Sequence, residues 1–242
     1  MTDLMISAYW RSTRSPLYSF LFTIPLFLIY EAGIFLTTKD NMLVLRNGAD
    51  ALMRQVLENF GIIGLHGIGA IFLAGFGVVF FMQRKYWRDA EVHGDYLLMM
   101  MGESLVWAVG LYYFMSNVYV LLMNPSGQVL VQQVTLAVGA GIYEELFFRV
   151  LLISGVAAIL GFVFQWSDKM KRWMAMSIAA GIFSAFHFMG EYADYFSFDV
   201  FLIRFFAGLA LGSLYFIRGF GITAWSHALY DLIVLTQTTT QT

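Results

Sequence analysis

The 242-residue chain contains no cysteine. That absence excludes a disulfide scaffold, a thiolate zinc site, a thiol nucleophile and lipidation at cysteine. Charge is scarce too: Asp, Glu, Lys and Arg make up 12% of the residues, against about 25% in a soluble domain. The formal net charge of −2 supplies no basic surface, so nucleic acid is not expected as a partner. Several catalytic signatures are missing. There is no HExxH zinc-protease helix. Gly102-Glu103-Ser104-Leu105-Val106 lacks the last glycine of a G-x-S-x-G elbow. Gly94-Asp95 is preceded by Val92 where a GxGD aspartyl motif needs glycine. What is abundant is apolar: 60% of the residues are hydrophobic, with 24 Phe and 13 Tyr, and mean hydropathy is +0.71. This composition excludes disorder and a water-soluble fold, and it points to a bilayer as the solvent.

A bilayer core about 30 Å thick takes roughly 20 apolar residues per helix. Stretches 17–37, 60–82, 97–123, 129–165, 173–190, 199–217 and 220–236 qualify. They predict an all-α transmembrane bundle of about seven spans, or eight with one further crossing. The runs are too long and too uniformly apolar for barrel strands of about 10 alternating residues. The fourth run is long for one crossing, which predicts a break near Gly139 and Gly141 or a helix running past the membrane surface. Between the first two spans, Asn47-Gly48 reads as a turn and Asp50 as a helix cap. Leu52, Met53, Val56, Leu57 and Phe60 then recur at helical spacing. This predicts a short interfacial helix, against a loop with scattered apolar residues. Residues 1–128 are thus N-terminal membrane helices with an interfacial segment, 129–236 a helical core, and 237–242 a frayed tail.

Basic residues set the expected orientation. Arg11, Arg14, Arg84, Lys85, Arg88, Lys169, Lys171, Arg172 and Arg218 fall on the N-terminal side of a seven-span chain, and Lys39, Arg46 and Arg54 on the other. The N-terminus is therefore expected in the cytoplasm, in a multi-pass protein of the plasma membrane (the inner membrane in a bacterium). Arg11 and Arg14 precede a first run without a cleavage pattern, which reads as a retained anchor.

An ionised side chain at mid-bilayer costs about 2.5 to 3.5 kcal/mol on insertion scales, so polar residues inside the spans are informative. They are Tyr30 and Glu31, His66, Glu103, Asn117, Glu144, Glu145, Arg149, His187, Arg204, His227 and Asp231. Glu145 and Arg149 are four apart and share a helical face, whereas Glu144 is about 100° around the helix. An unpaired buried carboxylate suits a general base; the same cluster also reads as an ion-paired packing element. His187 reads as a satisfied interior histidine or as a site residue. His227 and Asp231, four apart, read as an imidazole oriented by a carboxylate, as a metal half-site or as a hydrogen bond between helices. Glu31 and Glu103 either line a substrate route or pair among helices. Arg204 reads as snorkelling or ion-paired. Gly208 and Gly212 form a GxxxG contact, inside the bundle or between chains.

Three motifs stand in order on separate apolar runs: EExxxR at Glu144, Glu145 and Arg149, FxxxH at Phe183 and His187, and HxxxD at His227 and Asp231. The set resembles the CAAX-protease and bacteriocin-processing (ABI) family of intramembrane endopeptidases, over about residues 140 to 235. The resemblance implies a glutamate-type peptidase in which Glu144 and His187 activate water, His227 and Asp231 stabilise the oxyanion, and Glu145 and Arg149 hold the site together. It implies a membrane-associated peptide or protein substrate, lipidated or not. The family often has Asn at the last position. An ionised Asp231 cannot donate to an oxyanion, so the expectation is that Asp231 orients His227. No cofactor is expected. The alternative is a catalytic zinc on His187, His227 and one carboxylate, with an open fourth position. Family members without catalytic activity, acting in partner binding, immunity or sorting, supply the second functional reading. An ion or proton pathway is third, and the paired broken helices of transporters are not found. The seven-span count puts Glu144 and His187 toward the outer level, unless the count is off by one or the cavity is deep and central.

Overall fold

The computed structural model describes residues 2–38, 46–59, 92–116, 130–189 and 193–239, with Gly77 and Phe81. The expected span at 60–82, including Phe60 and His66, lies outside the described residues apart from Gly77 and Phe81, and so does Asn117. The elements are α1 (Thr2–Thr13), α2 (Pro16–Thr38), α3 (Gly48–Asn59), α4 (Gly94–Ser116), α5 (Leu130–Phe164), α6 (Asp168–Phe186), α7 (Phe198–Arg218) and α8 (Phe220–Thr239). Among the described residues there is no strand, and the protein is an all-α membrane bundle. Pro16–Thr37, Gly94–Met115, Leu130–Phe164 and Phe198–Arg218 are long and apolar enough to cross a bilayer, and Phe220–Leu235 is a shorter apolar helix. The first turn of α6 carries Asp168, Lys169 and Lys171, so only its remainder is apolar; Ser167 caps it by accepting from the Met170 amide. Residues 237–239, expected to be frayed, continue α8, and 240–242 lie outside the described residues.

In lipid, helices are held by close packing and interhelical hydrogen bonds rather than by burial from water. The centre of the bundle follows that rule. α8 packs against α2, α4 and α5, while α6 packs against α5 and α7. α5 does not break at its glycines. A Cβ on Gly141 would collide with the Ala224 carbonyl and Ala228 of α8, and one on Gly139 with the Tyr30 ring of α2. The glycine pair therefore marks two close helix contacts. Immediately beyond, the backbone hydrogen bonds widen to π-type over Ala140–Glu144 and again over Leu146–Ile153. Such turns recur at functional sites because they re-aim side chains without ending the helix. At 35 residues, α5 is roughly 50 Å long at 1.5 Å per residue, so it overruns a bilayer core. The Gly208 and Gly212 face lies inside the bundle, against Ala180, Phe183 and Met176 of α6.

Two polar networks tie the N-terminal helices to this core. Arg218, fully buried at the end of α7, reaches both carboxylate oxygens of Glu103 on α4 and the Thr13 hydroxyl on α1. Tyr9 donates to the same carboxylate at 2.6 Å, and the guanidinium stacks 4.1 Å from the Trp10 ring. Burial and the neighbouring Glu103 carboxylate push the Tyr9 phenol above its ordinary pKa. Glu103 thus pairs among helices. Arg204 pairs with Asp194.

The second network anchors α3. Asn47, not Asp50, is its cap: the Asn47 side chain accepts from the Ala49 amide at 2.9 Å. Asp50 is fully buried and gathers Arg46, Arg54 and the Tyr30 hydroxyl. Met53 and Leu57 pack into the same core as Phe20, Leu146, Phe147 and Phe220. Part of the apolar face read as interfacial therefore rests on neighbouring helices, while Val56 on that face is exposed.

Candidate active site

The site forms where α5, α6 and α8 meet. On α5 the two adjacent glutamates point to different partners. Glu145, fully buried, accepts from His227 Nδ1 of α8 at 2.7 Å through Oε1. Its other oxygen lies 2.9 Å from the Arg149 Nε, one turn on. Arg149 is buried as well, and its guanidinium stacks 4.6 Å from the centre of the Phe183 ring on α6. Glu144 turns instead toward the N-terminus of α3, where the Asn47 side-chain amide donates to Oε1 at 2.8 Å. Glu144 also lies within electrostatic range of His187, His227 and Arg149.

Phe183 is the hub of the two histidines. Its ring stands edge-on to His187 at 4.9 Å and to His227 at 6.3 Å between centroids. Phe148 closes the far side at 5.2 Å. The FxxxH spacing on α6 thereby fixes both the imidazole and the aromatic wall beside it. His187 follows the last residue of α6, with Nδ1 2.9 Å from the Phe183 carbonyl. A carbonyl can only accept, so Nδ1 carries the hydrogen and Nε2 keeps its lone pair. The same reasoning applies to His227: with Nδ1–H directed at the Glu145 carboxylate, Nε2 is the nitrogen left for other chemistry.

Asp231 sits 3.7 Å from His227 Nε2, beyond hydrogen-bond length. Asp231 stays within ion-pair distance of Nε2, while the Glu145 carboxylate holds Nδ1 from across the helices, so two carboxylates flank the His227 ring. The six candidate side chains Glu144, Glu145, Arg149, His187, His227 and Asp231 converge on one region, and three further residues join them. Asn47 reaches Glu144 directly. Tyr30 and Asp50 hold Asn47 in place, since the Asn47 amide donates to the Tyr30 hydroxyl at 3.3 Å and that hydroxyl donates to Asp50 at 2.7 Å. The sequence signal for this group was the Asn47-x-x-Asp50 spacing, which has the shape of a helix-start motif.

The zinc alternative asks for three donors around one point. Among the described residues no three His, Asp or Glu side chains are disposed around a common point for a metal ion.

Beside the site lies a cavity of about 1000 Å³, bounded by α2, α3, α5 and the α7–α8 corner. Leu146 and Phe147, the residues after the glutamate pair, form part of its apolar wall. Its far end carries Arg14, Lys171 and Arg172 with Ser154 and Tyr215. The polar cluster itself is buried within the bundle, with Glu144, Glu145, Arg149 and His227 all shielded.

Residues 126–233 match the family model described as Rce1-like, type II CAAX prenyl endopeptidase. No curated protein and no solved structure matches the chain. The matched segment contains all six candidate side chains and excludes Asn47. Over residues 126–233, less than half of its length, the chain is similar to the Rce1-like family of type II CAAX prenyl endopeptidases.

Proposed function

We propose that this protein is a glutamate-type intramembrane endopeptidase, in which Glu144 and His187 activate the attacking water and His227 stabilises the oxyanion. The observation that carries the reading is the state of the two imidazoles. Each has its Nδ1–H directed at a fixed acceptor, Phe183 carbonyl or Glu145, so each presents Nε2. His187 Nε2, with a lone pair, accepts a proton from water alongside the Glu144 carboxylate. Attack of the resulting hydroxide on a peptide carbonyl forms a tetrahedral oxyanion. His227, when protonated, donates to that oxygen from Nε2. One such donor is worth about 10² to 10³ in rate. The proton held by His187 or Glu144 then passes to the leaving amine, and the C–N bond breaks. Glu145 and Arg149 orient His227, and no step needs a cofactor.

The substrate is a membrane-associated peptide or protein segment. The cavity beside Leu146 and Phe147 suits the apolar part of such a substrate, prenylated or not, and its basic end suits an anionic group. The basic residues at that end suit the cytoplasmic face, the side on which the N-terminus is expected. The test is cleavage of prenylated and unprenylated peptides by protein reconstituted in vesicles. Glu144→Ala and His187→Ala are expected to abolish cleavage while the protein still inserts and folds. Normal cleavage by either variant refutes the mechanism.

A further inference from the structure

We propose that Asn47, on the segment joining α2 to α3 and outside the family-matched region, is a positioning residue for the Glu144 carboxylate. The inference rests on Glu144 being the water-activating group. Asn47 is buried, and every polar atom that it offers has a defined partner. Its Oδ1 accepts from the Ala49 amide at 2.9 Å. A backbone amide can only donate, so the other side-chain atom is the NH2 group, and it must donate to Glu144 Oε1, 2.8 Å away. The orientation of the carboxamide is thus set by chemistry at both ends.

The position of Asn47 is equally constrained. Its backbone amide meets the Tyr30 hydroxyl, which is bound to Asp50, and Asp50 is clamped by Arg46 and Arg54. Gly48, next along the chain, lies against the Phe186 ring beside His187, where a Cβ would come within 3.1 Å. A Cβ on Gly139 would come within 3.0 Å of the Asn47 Cβ. The α3 N-terminus is therefore wedged between α2, α5 and the end of α6, and it delivers one neutral donor to one oxygen of Glu144. With Oε1 held, the carboxylate has one free oxygen, Oε2, to present to a water. Glu144 has no other hydrogen-bond donor among the described residues, whereas its neighbour Glu145 is held by Arg149 and His227. The acid proposed to react is tethered by an amide that leaves its charge intact, and the acid proposed to orient is neutralised by cations.

A cap and a positioning residue respond differently to substitution. Asp is as good an N-cap as Asn, so Asn47→Asp preserves the bond from the Ala49 amide and replaces the donor facing Glu144 with an acceptor. Asn47→Ser also keeps a capping oxygen but falls short of Glu144 and adds no charge. The experiment measures kcat and KM for peptide cleavage by the full-length protein in vesicles, with thermal melting as the check on folding. Asn47→Asp is expected to lower kcat by up to about 100-fold, the cost of misplacing a reacting group by about 1 Å, with KM unchanged. If Asn47→Asp does not fold, Asn47→Ser is read by the same criterion. Wild-type kcat in the folded variant, with Glu144→Gln inactive, overturns the role of Asn47 alone. Wild-type cleavage by Glu144→Gln overturns both that role and the reading of Glu144 on which it rests.

Discussion

Adjacent glutamates on α5 should fail in opposite ways when each is converted to glutamine. Glu144 is bound by the neutral Asn47 amide. Glutamine there still offers an oxygen to that donor, so no charge is orphaned, and the expected cost in stability is within about 1 kcal/mol. Glu145 is the chief compensation for a buried guanidinium. The Arg149 Nη1 and Nη2 atoms have no hydrogen-bond partner among the described residues. Its Nε contact with Glu145 is close at 2.9 Å but too poorly aligned to leave that oxygen counted as hydrogen-bonded. What remains is charge against charge, with the Phe183 face at 4.6 Å. Glu145→Gln removes the opposite charge and leaves Arg149 buried. Breaking a buried pair in this way costs about 3–5 kcal/mol. At about 2–4 °C per kcal/mol for a chain of this size, the melting midpoint should fall by at least 6 °C. The six tryptophans allow the melt to be followed by fluorescence in detergent. Glu144→Gln should melt near wild type and cleave nothing. Glu145→Gln should melt well below it. The double variant Glu145→Leu with Arg149→Met should recover most of the lost stability, because neither charge is then left alone. Equal melting of Glu144→Gln and Glu145→Gln refutes the reasoning.

Other outcomes follow from the same geometry. Cleavage should survive treatment of the protein with a strong zinc chelator, since no step uses a metal; loss of activity that zinc restores would reverse that reading. Asp231→Asn should change kcat by less than about tenfold, against the 10–100-fold expected for loss of an orienting partner, because Glu145 already sets the His227 ring; a larger loss, with folding intact, would return the orienting role to Asp231. Ala157→Trp, at the cavity wall, should raise KM for an apolar or prenylated peptide and leave kcat for a short polar one unchanged. Glu103→Gln should destabilise the protein by about 3–5 kcal/mol, because it strands the buried Arg218 far from the candidate site, and its residual folded fraction should cleave normally.

The helical membrane class was legible because composition and run length report directly on the solvent. The three motifs were legible because Glu145 and Arg149, Phe183 and His187, and His227 and Asp231 are each four apart, and i,i+4 neighbours share a helix face whatever the bundle does. The long run at 129–165 was read either as broken near Gly139 and Gly141 or as a helix running past the membrane surface, and it is one continuous helix of 35 residues. A glycine in a sequence does not say whether it frees the backbone or admits a neighbour, and here Tyr30 and Ala228 occupy the space a side chain would need. The widening of the α5 turns leaves no trace in residue spacing at all. Asn47 and Asp50 were read as local turn and cap residues, since nothing in the order of the chain shows that Glu144, 97 positions away, will be the partner of Asn47, or Tyr30, 20 positions away, that of Asp50.

Sequence alone determined the solvent, the helices and which polar residues share a turn, because those properties depend on composition and on contacts within about four residues. Tertiary structure alone decided that Glu145 holds His227, that Asn47 holds Glu144, and that Met53 and Leu57 of α3 pack against the bundle. Those outcomes depend on distances between helices, and such distances are set by where small residues let backbones approach.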